Sequence, residues 1–233
     1  MMLVQFVISN SQPRYEHKYT LEVSNEGDIK PLIAANPLGL RPIFHLRQIN
    51  NIYFDDKGLN LYKANMIGQA SRYKVRLRWY GKIDDPMTKP QLEVKVKQGE
   101  IVYKYVIVLS SMPPSVKLTP AFIMDQILGS PIDIVVKEVL MNLRPSFIGS
   151  YQRRYYQVAG GGARMTVDTD LAGRRQFFAD SFGWPSSSDN DRIILELKYQ
   201  PEYIDLASKL IQGFPVSLMK HSKYVYGLEV DTP

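Results

Sequence analysis

Lys74, Arg76 and Arg78 fall at every second position of the stretch RYKVRLRWYG (residues 72–81), and Val75, Leu77 and Trp79 fill the gaps. A β-strand sends alternate side chains to opposite faces, so this spacing stacks cations along one side and apolar groups along the other. Two unit charges ~10 Å apart at an effective dielectric of ~20 repel by ~1.7 kcal/mol. Such a row calls either for water or for a strongly anionic occupant. Forked guanidinium groups and point-charge ammonium groups together suit phosphate oxygens.

The pattern recurs along the chain. Arg14, Glu16 and Lys18 share one face of RYEHKY; Glu93, Lys95 and Lys97 share one face of LEVKVK, with Leu92, Val94 and Val96 opposite. Lys104 sits among apolar neighbours in VYKYVIV, Tyr151, Arg153 and Tyr155 align in YQRRYY, and Arg164, Thr166 and Asp168 align in ARMTVD. Glu196 and Lys198 oppose Leu195, Leu197 and Tyr199, and KHSKY adds Lys220 and Lys223. A wet sheet face mixes neutral polar groups with both signs of charge, because like charges across a sheet are unfavourable. Here cations far outnumber carboxylates. A sheet of about eight strands curled into a barrel resolves the tension: the charged faces line an interior, and helices cover the aliphatic outside. A chain of phosphates is the natural occupant of that interior. Inward carboxylates would repel it unless a divalent metal bridged the two, which singles out Glu196 and Glu16.

The elements that must position these residues are legible as periodicities. Strand-like alternation lies near 14–20, 50–54, 72–80, 91–97, 101–109, 147–157, 163–168 and 192–199. Helical spacing lies near 57–67, 120–128, 132–142 and 203–212. Asp55 and Asp56 are placed to cap the first helix, and Thr119 with Pro120 to start the second. AGGGA (159–163) reads as a hairpin turn, and DSFGWPSSSDND (180–191) as a surface loop. With no repeat and no shift of composition, residues 1–233 read as one α+β domain with a mostly antiparallel sheet.

Composition narrows the function classes. The chain has no cysteine, which excludes disulfides, thiolate catalysis and Cys-ligated zinc. No apolar run approaches the ~18 residues of a membrane helix, and the first residues lack a signal-peptide pattern, so a cytoplasmic location is expected. The net charge of +6 favours anionic partners. His17, His45 and His221 show no metal-ligand spacing, and in a regular strand His17 points away from Glu16 and Lys18. The basic strands carry no exposed stacking platform for single-stranded nucleic acid, so none is expected as a partner.

These residues resemble the VTC (vacuolar transporter chaperone) catalytic domain, a polyphosphate polymerase within the CYTH-like triphosphate tunnel superfamily. The resemblance rests on RLRWYG (76–81), LEVK (92–95), YQRR (151–154), VDTDL (167–171), LELKY (195–199) and KHSKY (220–224) in that order. It implies an antiparallel eight-stranded tunnel barrel with helices outside. It further implies phosphate-binding roles for Lys18, Arg76, Arg78, Lys95, Arg153, Arg164 and Lys198, and for Lys104 on the adjoining strand. Glu196 corresponds to the acid that holds a divalent metal, Mn2+ or Mg2+. Tyr151 corresponds to an aromatic hydroxyl near the phosphates, and Lys220, Ser222 and Lys223 to a basic segment at the tunnel. Lys74 joins the phosphate-binding set through its place in the opening row.

The implied reaction moves the terminal phosphoryl group of a nucleoside triphosphate, ATP by expectation, onto a polyphosphate chain. Arg76, Arg78, Arg153, Arg164, Lys198 and Glu196 would carry the catalysis. One departure bears on it. Tunnel hydrolases open with Glu-x-Glu-x-Lys, whereas this chain has Arg14, Glu16 and Lys18. Losing one carboxylate weakens a two-metal arrangement for activating water and favours transfer over hydrolysis. A tripolyphosphatase or nucleoside triphosphatase on the same fold, or a non-catalytic polyphosphate-binding module, remains the alternative. A membrane partner is left unassigned.

Overall fold

The structure is a computed structural model that describes residues 15–22, 27, 29–99, 101–114, 117–176, 182–184 and 192–218. Its strands and helices run β1 (Tyr15–Glu22), α1 (Ile29–Ala35), β2 (Leu40–Asp55), α2 (Asn60–Met66), β3 (Ser71–Tyr80), β4 (Pro86–Met87), β5 (Gln91–Gln98), β6 (Ile101–Val108) and β7 (Met112–Pro114). There follow α3 (Pro120–Leu128), α4 (Ile134–Met141), β8 (Arg144–Val158), β9 (Ala163–Arg175), β10 (Arg192–Tyr199), α5 (Ile204–Gln212) and β11 (Val216–Leu218). Among the described residues no helix is long and apolar enough to cross a membrane.

One antiparallel sheet of nine strands carries the architecture, in the order β11-β1-β10-β9-β8-β2-β3-β5-β6. The eight-stranded closed barrel is therefore corrected in two details. The extra strand, β11, is three residues paired to β1, too short to show an alternation. Hydrogen bonding also does not join β11 to β6 among the described residues. That the sheet nevertheless curls follows from the electrostatic interaction of Glu16 on β1 with Lys95 on β5, and of Lys74 on β3 with Lys18 on β1. These strands lie near opposite ends of the hydrogen-bonded order, so only a rolled sheet brings them face to face.

Two apolar clusters clothe the outside. Val75, Leu77 and Trp79 of β3 and Leu92 and Val94 of β5 pack with Ile123 and Ile127 of α3 and Val136 and Leu140 of α4. On the other half, Ile193, Leu195 and Leu197 of β10 pack with Ile29 and Ile33 of α1 and Ala207 and Leu210 of α5. The gaps in the charged rows are thus the outer core, and their removal from water drives the curling. His17 sits on this outer side, its Nδ1 3.0 Å from the Tyr199 hydroxyl, as its strand position requires.

Local signals act as expected, with some shifts. Thr119 accepts from Phe122 N at 3.2 Å and Pro120 opens α3. Asp55 accepts from Leu61 N and Tyr62 N at 2.9 and 2.8 Å, and Asp56 from Asn60 N at 3.0 Å, so both acids serve the start of α2. The β8–β9 hairpin turns through Gly160, Gly161 and Gly162 at φ of 86°, 88° and 82°, which side chains other than glycine rarely adopt. The α1 helix lies outside the four stretches of helical spacing, and most of the 180–191 loop lies outside the described residues. β2 begins at Leu40 rather than near 50, because residues 40–48 pair with β8 alone, through bulges, and stand largely exposed.

A candidate polyanion site inside the curled sheet

Strand register assembles the site. Glu16 and Lys18 of β1 face Lys198 and Glu196 of β10, which in turn face Arg164 and Thr166 of β9. Arg153 of β8 lies opposite Asp168 of β9 and opposite Arg47 of β2. Across the interior, Lys74, Arg76 and Arg78 of β3 oppose Lys95, Glu93 and Gln91 of β5, and Lys95 opposes Lys104 of β6. Every predicted site residue that the structure describes lies on these inner rows. Arg14, Lys220, Ser222 and Lys223 lie outside the described residues.

Carboxylates organise two of the arginines. Glu93 accepts from Arg76 Nε at 3.0 Å and Nη2 at 2.6 Å, with Arg78 Nη1 at 3.8 Å and Lys104 Nζ at 3.3 Å from its oxygens. Burial would raise the Glu93 carboxyl, but Arg76, Arg78 and Lys104 outweigh it and hold it at about 2. Arg153 donates to both oxygens of Asp168, at 2.5 and 2.7 Å, and Asp168 is fully buried. Asp168 thus holds a guanidinium, and only the register of β8 against β9 reveals the partner. Arg78 donates to Asn51 Oδ1 at 3.0 Å and to the Tyr151 hydroxyl at 3.2 Å, which brings Tyr151 to the inner row.

The lysines divide. Lys18 pairs with Glu16 and stands 3.8 Å from Glu196; Lys198 stands 2.5 Å from Glu196 and 3.7 Å from Glu16. Desolvation and the neighbouring Glu196 would raise the Glu16 carboxyl, but Lys18, Lys198 and Lys95 bring it to about 2. Lys74 and Lys95, by contrast, have no carboxylate at salt-bridge distance among the described residues, and they face each other directly. Desolvation, then Lys95, Arg76 and Lys18, push Lys74 down to about 7. Desolvation likewise leads the lowering of Lys95 and Lys104. Arg164 is exposed at the end of its row.

A divalent ion has a limited donor set here. No group of three or more His, Asp or Glu converges among the described residues. Glu196 does lie close enough to Glu16 to disfavour its charge. Two carboxylates fit a hard ion that completes its shell with water and phosphate oxygens, and do not fit an ion held by protein alone.

Comparison with known proteins agrees with this geometry. The VTC domain profile matches residues 13–230. Curated protein sequences give no match. Among solved structures, HpAC1 of Hippeastrum, a proposed adenylyl cyclase with a dominant triphosphatase activity, matches over 95% of this chain and 98% of its own, at 16% identity and a TM-score of 0.54. A proposed adenylate cyclase of Vibrio parahaemolyticus matches over 94% and 98%, at 15% identity and a TM-score of 0.52. At such identities the likeness is one of fold, a mostly antiparallel tunnel sheet with helices outside. The profile match over nearly the whole chain goes further: this chain belongs to the VTC domain family, on the triphosphate tunnel fold.

Proposed function

We propose that this protein transfers the terminal phosphoryl group of a nucleoside triphosphate, ATP in the first instance, to the end of a polyphosphate chain held inside the curled sheet. The observation that carries the reading is the row Lys74–Lys95–Lys104, three lysines in direct register with each other on adjacent strands. The first two have no carboxylate at salt-bridge distance among the described residues, and bound phosphate oxygens would remove their repulsion. Membership of the VTC domain family supports the same reading.

The chemistry needs little from the protein beyond position and charge. Phosphoryl transfer spreads negative charge over equatorial oxygens with attacking and leaving oxygens in line. Arg76 and Arg153, each held by a carboxylate, present guanidinium groups whose direction is set before the substrate arrives. Lys74, Lys95 and Lys104 neutralise the chain, and Lys18 and Lys198 sit beside Glu16 and Glu196. The acceptor is already an anion, so no protein base is required to activate it. Glu196 and Glu16 would hold Mg2+ or Mn2+, which when bound supplies charge neutralisation at phosphate oxygens.

Incubation of the purified protein with ATP and manganese, followed by gel electrophoresis, tests the reading: phosphate chains are expected. Orthophosphate alone from a folded sample assigns hydrolysis instead. Binding without turnover across several metals and donors assigns a binding module. Glu196→Gln should reduce turnover more than triphosphate affinity, and an unchanged metal dependence in that variant removes Glu196 from the metal site.

A further inference from the structure

Where β2 runs past the end of β3, an aromatic and arginine cluster stands at the rim of the inner face. Arg47 places its guanidinium carbon 4.6 Å from the centre of the Phe44 ring, 5.5 Å from Tyr155 and 5.8 Å from Tyr80. Phe44 and Tyr155 meet edge to face with centres 5.3 Å apart. Phe44 is nevertheless 50% exposed and Tyr80 39% exposed. An aromatic left half in water beside a cation offers an open face, whereas the apolar residues of the outer clusters are covered.

The cluster is continuous with the phosphate-facing rows. The Arg153 guanidinium lies 5.9 Å from the Tyr155 ring on one side and 5.3 Å from the Tyr151 ring on the other, and Tyr151 accepts from Arg78. From Arg153 outward, two contacts of 5.9 and 5.3 Å reach Phe44. Ring faces offer nothing to a bare phosphate chain, which wants donors; they do offer stacking to a flat heterocycle, with the guanidinium as a second planar surface.

We propose that Phe44, Arg47, Tyr80 and Tyr155 form a nucleobase shelf, which makes a nucleoside triphosphate rather than inorganic triphosphate the favoured donor. This inference rests on the proposed binding of triphosphate inside the sheet. Stacking is tolerant of base identity, so the shelf prefers purines for their larger area without reading their edges.

Equilibrium binding of ATP and of inorganic tripolyphosphate to the full chain tests it. In Phe44→Leu, which keeps apolar bulk but removes the ring, the dissociation constant for ATP should rise about ten-fold. That for tripolyphosphate should stay within about two-fold, since no base is present to stack. Phe44→Trp should hold ATP at least as tightly as the wild type. If Phe44→Leu weakens both ligands equally, or neither, the shelf is overturned while the phosphate site stands. If the wild type binds neither ligand, the phosphate site is overturned and the shelf with it.

Discussion

The two walls of the curled sheet carry similar cations in different company. On the wall made by β8, β9, β10 and β1, acids and bases alternate: Asp168 holds Arg153, and Glu196 and Glu16 are shared by Lys198 and Lys18. On the facing wall of β3, β5 and β6, one acid, Glu93, serves Arg76, Arg78 and Lys104, and Lys74 and Lys95 confront each other. The first wall is nearly self-sufficient in charge. The second is short of anions, and its lysines show it: Lys74 is pushed down to about 7 and Lys95 and Lys104 are lowered. The difference teaches that burial alone does not decide whether a charge survives inside a protein; the count of partners within reach does.

Breaking the second wall should have the largest effect. Arg76→Ala with Arg78→Ala should weaken tripolyphosphate binding by about 100-fold or more, as two charge-assisted contacts are lost. It should also lower stability, by about 3 kcal/mol, because Glu93 is left buried with Lys104 as its one cation among the described residues. Relief of repulsion between arginines would have raised stability; the pairing with Glu93 reverses that sign. Titration calorimetry and urea unfolding measure both, and wild-type affinity in the double variant would remove these arginines from the phosphate site.

On the first wall, Asp168→Asn keeps the shape of the side chain and removes its charge. Stability should fall by about 2 kcal/mol, typical of hydrogen bonds to charged groups. Turnover should fall more than triphosphate affinity, because the lost function is the aim of Arg153 rather than its charge. Equal losses in both would make Asp168 a structural acid only.

The smallest effect sharpens the contrast through pH. The folded-state value of Lys74, about 7, lies below its ordinary value of 10.5. Below about 7 the lysine is protonated in both states and its buried charge costs folding in full. As pH rises from 7 to 10.5 the unfolded chain still binds the proton and the folded one does not, so stability rises over that window. Lys74→Met should flatten part of this rise, leaving the part due to Lys95 and Lys104. At pH 8, tripolyphosphate binding should be accompanied by proton uptake, seen as a buffer-dependent binding enthalpy, and the uptake should shrink in Lys74→Met. A stability profile and uptake identical to wild type would detach Lys74 from the site.

The site was legible where period two is unbroken. RYKVRLRWYG, QLEVKVKQ and LELKY each sort their charged side chains from their apolar ones without reference to any other segment, and all three lie in strands. Residues 40–48 were not legible because Pro42 and the bulges break the alternation, and so the shelf around Arg47 went unread. The pairing of Asp168 with Arg153 was not legible, because a carboxylate beside a turn and a carboxylate opposite an arginine look alike in one dimension.

Local alternation thus specified which side chains share a face, since the pleat allows no other outcome once a segment is extended. Which faces meet is another matter. The approach of Glu16 to Lys95, and the scarcity of acids around Lys74, depend on how far the sheet rolls and on which strands become neighbours. Those are set by packing of the two outer clusters and by register between strands distant in the chain, and register is a property of pairs that no single strand contains.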